Sequence, residues 1–196
     1  MGATLTREKM PDWAIPPEGG FTAEDLDRLP DLPPHTELID GSLVLGSPQR
    51  DFHSVAVDLL MAGLRVTAPG FLRVRREMTV TLGPRQRPEP DLMVVKASAV
   101  TGPELTSFRP ADVLLAVEVV SPDSEERDRE RKPDLYAGAG IPHFWLVERE
   151  GGRPVVHVYE LDAPTRKYVA VGIHREQLKL ALPFAIDIDL TAIDQL

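Results

Sequence analysis

Val113-Leu114-Leu115-Ala116-Val117-Glu118-Val119-Val120 is apolar along both faces except at one position, and Ser121-Pro122 ends the run. Continuous apolar runs of this kind are typical of central strands covered by helices on both sides. A carboxylate in such a strand loses much of its hydration, which disfavours its charged form. Glu118 therefore needs a metal, a cationic partner or a raised pKa to be tolerated there. The plain structural alternative is a strand-end glutamate that points at solvent or pairs with an arginine.

Working outward, Pro90-Asp91-Leu92-Met93-Val94-Val95 is a polar start that runs into a second buried strand. Leu72, Val74, Arg76, Met78, Val80 and Leu82 show the period of a half-buried strand. Apolar residues at Val55, Leu59, Leu60 and Leu64 predict a helix from about Phe52 to Val66, with Asp51 as its cap. Glu37-Leu38-Ile39-Asp40-Gly41-Ser42-Leu43-Val44-Leu45 predicts two short strands around an Asp-Gly turn. Thr22 followed by Asp25 marks a helix over Ala23–Leu29, stopped by Pro30. Downstream, a charged segment leads to a helix after Pro133 that holds Leu135 and Tyr136 and closes at Gly138 and Gly140. His143-Phe144-Trp145-Leu146-Val147 is a further buried strand, and 154–161 with 167–173 predicts a terminal hairpin. The order α-β-β-α-β-β-β-α-β-β-β implies a mixed α/β fold, with helices packed on a largely antiparallel or mixed sheet.

Composition bounds what such a fold can do. The 196 residues suit one domain over 21–196, and prolines crowd an extended arm over 1–20. With no cysteine, disulfides and thiolate zinc sites are excluded. No apolar h-region follows Met1, and no apolar run approaches a membrane span, so a cytoplasmic protein is expected. The net charge of −9 argues against broad electrostatic binding of nucleic acid. Two basic clusters offset it locally: Arg73, Arg75, Arg76, Arg85 and Arg87, then Arg127, Arg129, Arg131 and Lys132.

Asp91 gains meaning from Glu118. Two carboxylates on adjacent strands can share a hard divalent cation, which takes oxygen ligands and keeps several waters. The carbonyl of Val119 would add another oxygen. Lys132, at the entrance to the helix, is the candidate cation that positions a water and offsets charge on a phosphate. Its surroundings, Arg127-Asp128-Arg129-Glu130-Arg131-Lys132, alternate in sign and read equally as a solvated face.

These residues together resemble a known family. Pro90-Asp91 followed by Glu118-Val119-Val120 is similar to the Pro-Asp…(Asp/Glu)-x-Lys signature of restriction-endonuclease-like nucleases. More narrowly, the chain resembles the Uma-type bacterial restriction endonucleases over about residues 20–165. The resemblance rests on five ordered blocks: Glu37–Gly41, His53, Pro90–Val95, Leu115–Pro122, and Lys132 with Tyr136 and Gly140–Val147. Val120 departs from the general signature, because it stands where lysine is usual. In the Uma-type group that lysine has moved to the following helix, the place of Lys132, which here reads as a cap before Pro133 at the first helical position.

The resemblance implies a restriction-endonuclease-like α+β fold: a mixed central sheet flanked by helices, with the extra C-terminal hairpin. It implies Mg²⁺ or Mn²⁺ as cofactor and DNA as substrate. Asp91 and Glu118 would bind the metal, Lys132 would assist the water, Glu37 would complete or orient the shell, and His53 would contact substrate or metal. A homodimer through the C-terminal hairpin is a further expectation. Two alternatives stay open: a nuclease fold that serves only as a binding or interaction module, and a carboxylate-pair hydrolase such as a glycosidase.

Overall fold

In a computed structural model, which describes Pro11 and residues 15–196, local chemistry sets each early element. Most of the arm expected over 1–20 lies outside the described residues. The Asp25 carboxylate accepts from Thr22 N at 2.7 Å and Thr22 Oγ1 at 2.9 Å. That starts α1 (Asp25–Arg28), shorter than the Ala23–Leu29 the sequence suggests. β1 (Glu37–Ile39) and β2 (Ser42–Val44) pair across Asp40 and Gly41, both at positive φ (55° and 80°). This is the backbone that a two-residue hairpin turn of Asp-Gly type requires.

α2 (Asp51–Thr67) has Arg50 at its N-cap and no side-chain cap. Asp51 is therefore not the cap expected of it; it sits in the first turn, where its charge complements the helix dipole. β3 (Leu72–Arg76) stops early, because Glu77 takes φ 50° and turns the chain out of the ladder. The single strand expected over 72–82 is thus two. Its second half, β4 (Thr79–Val80), leaves the main sheet. β5 (Leu92–Lys96) returns to it, whereas β6 (Ser107–Phe108) pairs in parallel with β4. β7 (Val113–Val119), α3 (Lys132–Ala139), β8 (His143–Glu150), β9 (Arg153–Asp162) and β10 (Lys167–His174) follow. A last hairpin, β11 (Gln177–Leu180) with β12 (Ile186–Asp189), was not foreseen.

The main sheet is six-stranded, in the order β10-β9-β8-β7-β5-β3. Every neighbouring pair is antiparallel except β7–β8, so the chain must cross over between them, and α3 makes that crossing. β7 is central and buried on both faces, as its apolar run requires. Strand alternation divides its side chains. Leu115, Val117 and Val119 pack with Ala56, Leu60 and Leu64 of α2 and with Leu178, Ile186 and Ile188 of the last hairpin. Ala116 faces the other way, with Met93, Tyr136, Ile141 and Phe144. By the same period, Glu118 faces α3.

A third cluster, Phe21, Ala23 and Leu38, anchors the β1–β2 hairpin outside the sheet. Arg87 is its keystone. Buried at 4% exposure, it donates to Asp27 Oδ2 (2.6 Å), Asp27 Oδ1 (2.9 Å), the Ala23 carbonyl (2.8 Å) and Thr79 Oγ1 (2.9 Å). Its backbone N–H donates to the Leu38 carbonyl at 2.7 Å, which fixes β1.

Two predictions follow from this packing. A Cβ on Gly63 would lie 2.5 Å from Cγ1 of Ile188, a β-branched side chain with little rotamer freedom. Gly63→Val should cost about 1–3 kcal/mol by overpacking, read as a lower thermal midpoint with the fold otherwise intact. The second concerns Asp27, whose hydrogen bond from Arg87 holds it below its ordinary value of 3.8. A pKa lower in the folded state stabilises above the unfolded value and loses that stabilisation as pH falls through the folded one. Urea melts from pH 6 to pH 2 should therefore show part of the acid loss near and below pH 3.8 disappearing in Asp27→Asn.

Candidate active site

The site forms where β5 and β7 meet the crossover. The antiparallel register that sets Leu92 opposite Val117 places Asp91 opposite Glu118, so the two carboxylates share one end of the sheet. Asp91 lies just beyond the ladder, after Pro90, where its own side chain replaces a strand bond. Its Oδ2 accepts from Val119 N at 2.6 Å, and its Oδ1 lies 3.0 Å from His53 Nε2. His53, in the first turn of α2, is buried at 3% exposure, and its Nδ1 has no hydrogen-bond partner among the described residues.

Glu118 is 1% exposed and both its oxygens are engaged. Oε1 accepts from Tyr136 Oη at 2.6 Å and Oε2 from Lys132 Nζ at 3.0 Å. Lys132 in turn lies 2.9 Å from Glu37 Oε1 and 3.4 Å from Asp128 Oδ1. Glu37 Oε1 also accepts from Glu89 N at 2.7 Å, which ties the β1–β2 hairpin to the strand that leads into Asp91. Ser124 donates to the other oxygen of Asp128, and Asp128 Oδ1 is buried with no hydrogen-bond donor.

Lys132 is not the cap that the sequence suggests. The five residues Arg127–Arg131 form a π-helical turn continuous with α3, and Lys132 N–H donates to the Arg127 carbonyl, five residues back. Pro133 therefore sits early in a helix that has already begun. Such π turns widen a helix and recur at functional sites. Here the turn puts Asp128, Lys132 and Tyr136, spaced by four, against Glu118. The sign-alternating run is accordingly no solvated face: Asp128 and Lys132 are 1% and 4% exposed.

Charge sets the state of the cluster. Burial, reinforced by Asp128, Asp91 and Glu37, pushes the Glu118 carboxyl well above the usual carboxylate range despite Lys132. Burial likewise raises Asp128. For Lys132, burial alone would depress the ammonium, but Glu118, Glu37 and Asp128 outweigh it and hold the side chain charged. Desolvation and the neighbouring Glu118 push the Tyr136 phenol well up, so it stays a donor.

Asp91, Glu118, Val119, Lys132, Glu37 and His53 thus line one cleft of about 80 Å³. Sequence reasoning brought those six together but gave no role to Asp128 or Tyr136. Their signal was present in the spacing of four on either side of Lys132.

The donor set suits a hard cation. Three carboxylates (Glu37, Glu118 and Asp128) share one ammonium, Asp91 lies beside them against His53, and the buried Asp128 Oδ1 has only that ammonium at 3.4 Å and no hydrogen bond. Among the described residues no three His, Asp or Glu side chains form a ready cage. Mg²⁺, however, is commonly bound through one or two carboxylates and several waters. Asp91 and Glu118 would be those two. Val119 N–H points to Asp91, and in an extended strand the carbonyl of the same residue faces the same side, so Val119 O would be the candidate for a third oxygen.

The fold is of the restriction-endonuclease-like class. Residues 23–192 match the family described as Uma2, putative restriction endonuclease, and the chain belongs to that family. The fold is similar to the crystal structure of a putative nuclease of DUF820 from Anabaena variabilis, with a TM-score of 0.68. The two sequences are 18% identical over 89% of this chain and 98% of the other. No curated protein matches the chain. No helix among the described residues is long and apolar enough to cross a membrane.

Removing Lys132 leaves three buried or nearly buried carboxylates without their cation. Lys132→Ala should cost about 3–5 kcal/mol in urea denaturation. Tyr136→Phe, which deletes only the hydroxyl on Glu118, should cost about 1.5–3 kcal/mol. Equal midpoints for Lys132→Ala and wild type would contradict the charge arrangement described.

Proposed function

We propose that the protein is a metal-dependent endonuclease that hydrolyses phosphodiester bonds in DNA. The observation that carries this reading is the excess of buried carboxylate over cation where Asp91 faces Glu118, in a chain of a restriction-endonuclease family. Mg²⁺ or Mn²⁺, when bound, supplies a water of lowered pKa and offsets negative charge on the phosphate.

The protein's own groups prepare that chemistry. His53 Nε2 and Val119 N fix Asp91, and Tyr136 Oη fixes Glu118, so both carboxylates are oriented before any ligand arrives. Lys132 Nζ, held charged, neutralises Glu118, and by releasing its longest contact, Asp128 at 3.4 Å, it would turn one N–H to a water or a phosphate oxygen. Glu37 and Asp128 hold that ammonium over the strand end. His53 acts here as a positioning residue for Asp91, which narrows the broader contact with substrate or metal expected of it.

The test is cleavage of supercoiled plasmid with Mg²⁺, with Mn²⁺, and with a chelator. Wild type should nick the plasmid only with metal, and Glu118→Gln and Asp91→Asn should lose at least about 100-fold in rate. Glu118→Gln as active as wild type would sink the proposal. The net charge of −9 favours one rival, a binding module that keeps the site without cutting. Calorimetric Mn²⁺ binding that is lost in Asp91→Asn, with no cleavage of DNA or RNA, would decide for it.

A further inference from the structure

The arginines around the site divide into two groups. Arg76, Arg87, Arg129 and Arg131 are each matched to a carboxylate: Asp58, Asp27, Glu148 and Asp40. Arg50 and Arg127 are in no ion pair among the described residues, although the chain carries 31 acidic side chains. Both line the cleft that holds Asp91, Glu118 and Lys132. Arg127 is half-buried. Its Nη2 donates to the Asp123 carbonyl at 3.0 Å, which fixes the guanidinium plane, while its Nε is buried without an acceptor. A buried donor left unmatched costs stability unless something completes it. Arg50 approaches from the opposite element, at the uncapped N-terminus of α2. It also lines an adjoining hollow of about 230 Å³ with Phe52, Val120, Pro122 and Arg149, so it stands at the boundary of the two spaces.

We infer that Arg50 and Arg127 form a phosphate clamp, gripping the backbone of a nucleic-acid strand as it passes from the adjoining hollow across the acidic cleft. This rests on the nuclease reading and gives it what the net charge withholds. A polyanion approaching buried carboxylates is repelled unless fixed cations stand at the mouth, and these two are the arginines that line the cleft itself, neither in an ion pair among the described residues. The planar guanidinium matches two phosphate oxygens at once, and Arg127 arrives with its plane already set.

The experiment is fluorescence anisotropy of a labelled 20-base-pair duplex, titrated with the full chain in Mg²⁺ at several salt concentrations. The proteins are wild type, Arg50→Gln, Arg127→Gln and Arg127→Lys, with Lys179→Gln, on the exposed edge of the last hairpin, as control; circular dichroism checks each fold. Each Gln variant should bind at least about tenfold more weakly, and its salt slope should fall by about one. Arg127→Lys, which keeps the charge and loses the fork, should fall between, and Lys179→Gln should match wild type. Duplex binding within twofold of wild type in both Gln variants overturns the clamp, and so does a wild-type protein that binds no duplex. Plasmid cleavage with the same preparations separates the two ideas. Full cleavage by Arg50→Gln and Arg127→Gln removes the clamp and leaves the nuclease. Binding lost in those variants, with no cleavage by wild type, keeps the clamp and removes the nuclease.

Discussion

The buried ammonium of Lys132 is the contact on which the rest of the structure turns. Glu118 stands in the most apolar strand of the chain, and burial strips its charge of most of its hydration. The lysine makes that placement tolerable, and it is itself tolerable only because Glu37 and Asp128 flank it. Three separate parts of the chain are therefore drawn to one point: the β1–β2 hairpin, the end of β7, and the helix that crosses to β8. An arrangement of this kind is poor as a stabiliser, since well-packed apolar groups would do as well or better. Stability alone therefore does not account for it.

The topology serves that convergence. Because β7 and β8 run parallel, the chain leaving Glu118 must travel back along the sheet before β8 can begin. Whatever it places over the end of β7 on the way lies directly above the carboxylates. The π turn sets the phase of that return, so Asp128, Lys132 and Tyr136 face inward while Arg129 and Arg131 reach outward to Glu148 and Asp40.

Much of this was legible in the residues, because burial leaves a strong trace. The doubly apolar run of β7 marked a central strand, and the lone Glu118 within it marked a candidate site. Asp91 gained its meaning only from Glu118. The pieces that escaped are those fixed by tertiary context. Glu77 at positive φ splits β3 from β4, yet the apolar period from Leu72 to Leu82 lapses only at Arg76 and resumes in phase at Met78, so period alone does not locate the break. Leu178, Leu180, Ile186 and Ile188 carry the alternation of a hairpin, but its partner face, Gly63 on α2, lies more than a hundred positions earlier in the chain. Asp128 was hidden because a run of alternating charges on a surface helix and on a π turn over a buried glutamate have the same composition.

The β1–β2 hairpin has one more consequence. It lies outside the six-stranded sheet and rests on a small apolar cluster of its own, with Arg87 and the Arg131–Asp40 pair as its ties. Beneath it Glu37 reaches both Lys132 and the Glu89 N–H, so the hairpin forms one wall of the carboxylate cluster. The seat of the hairpin and the neutralisation of Lys132 thus rest on one carboxylate, so a change at Glu37 is felt both in the wall of the cleft and in its charge.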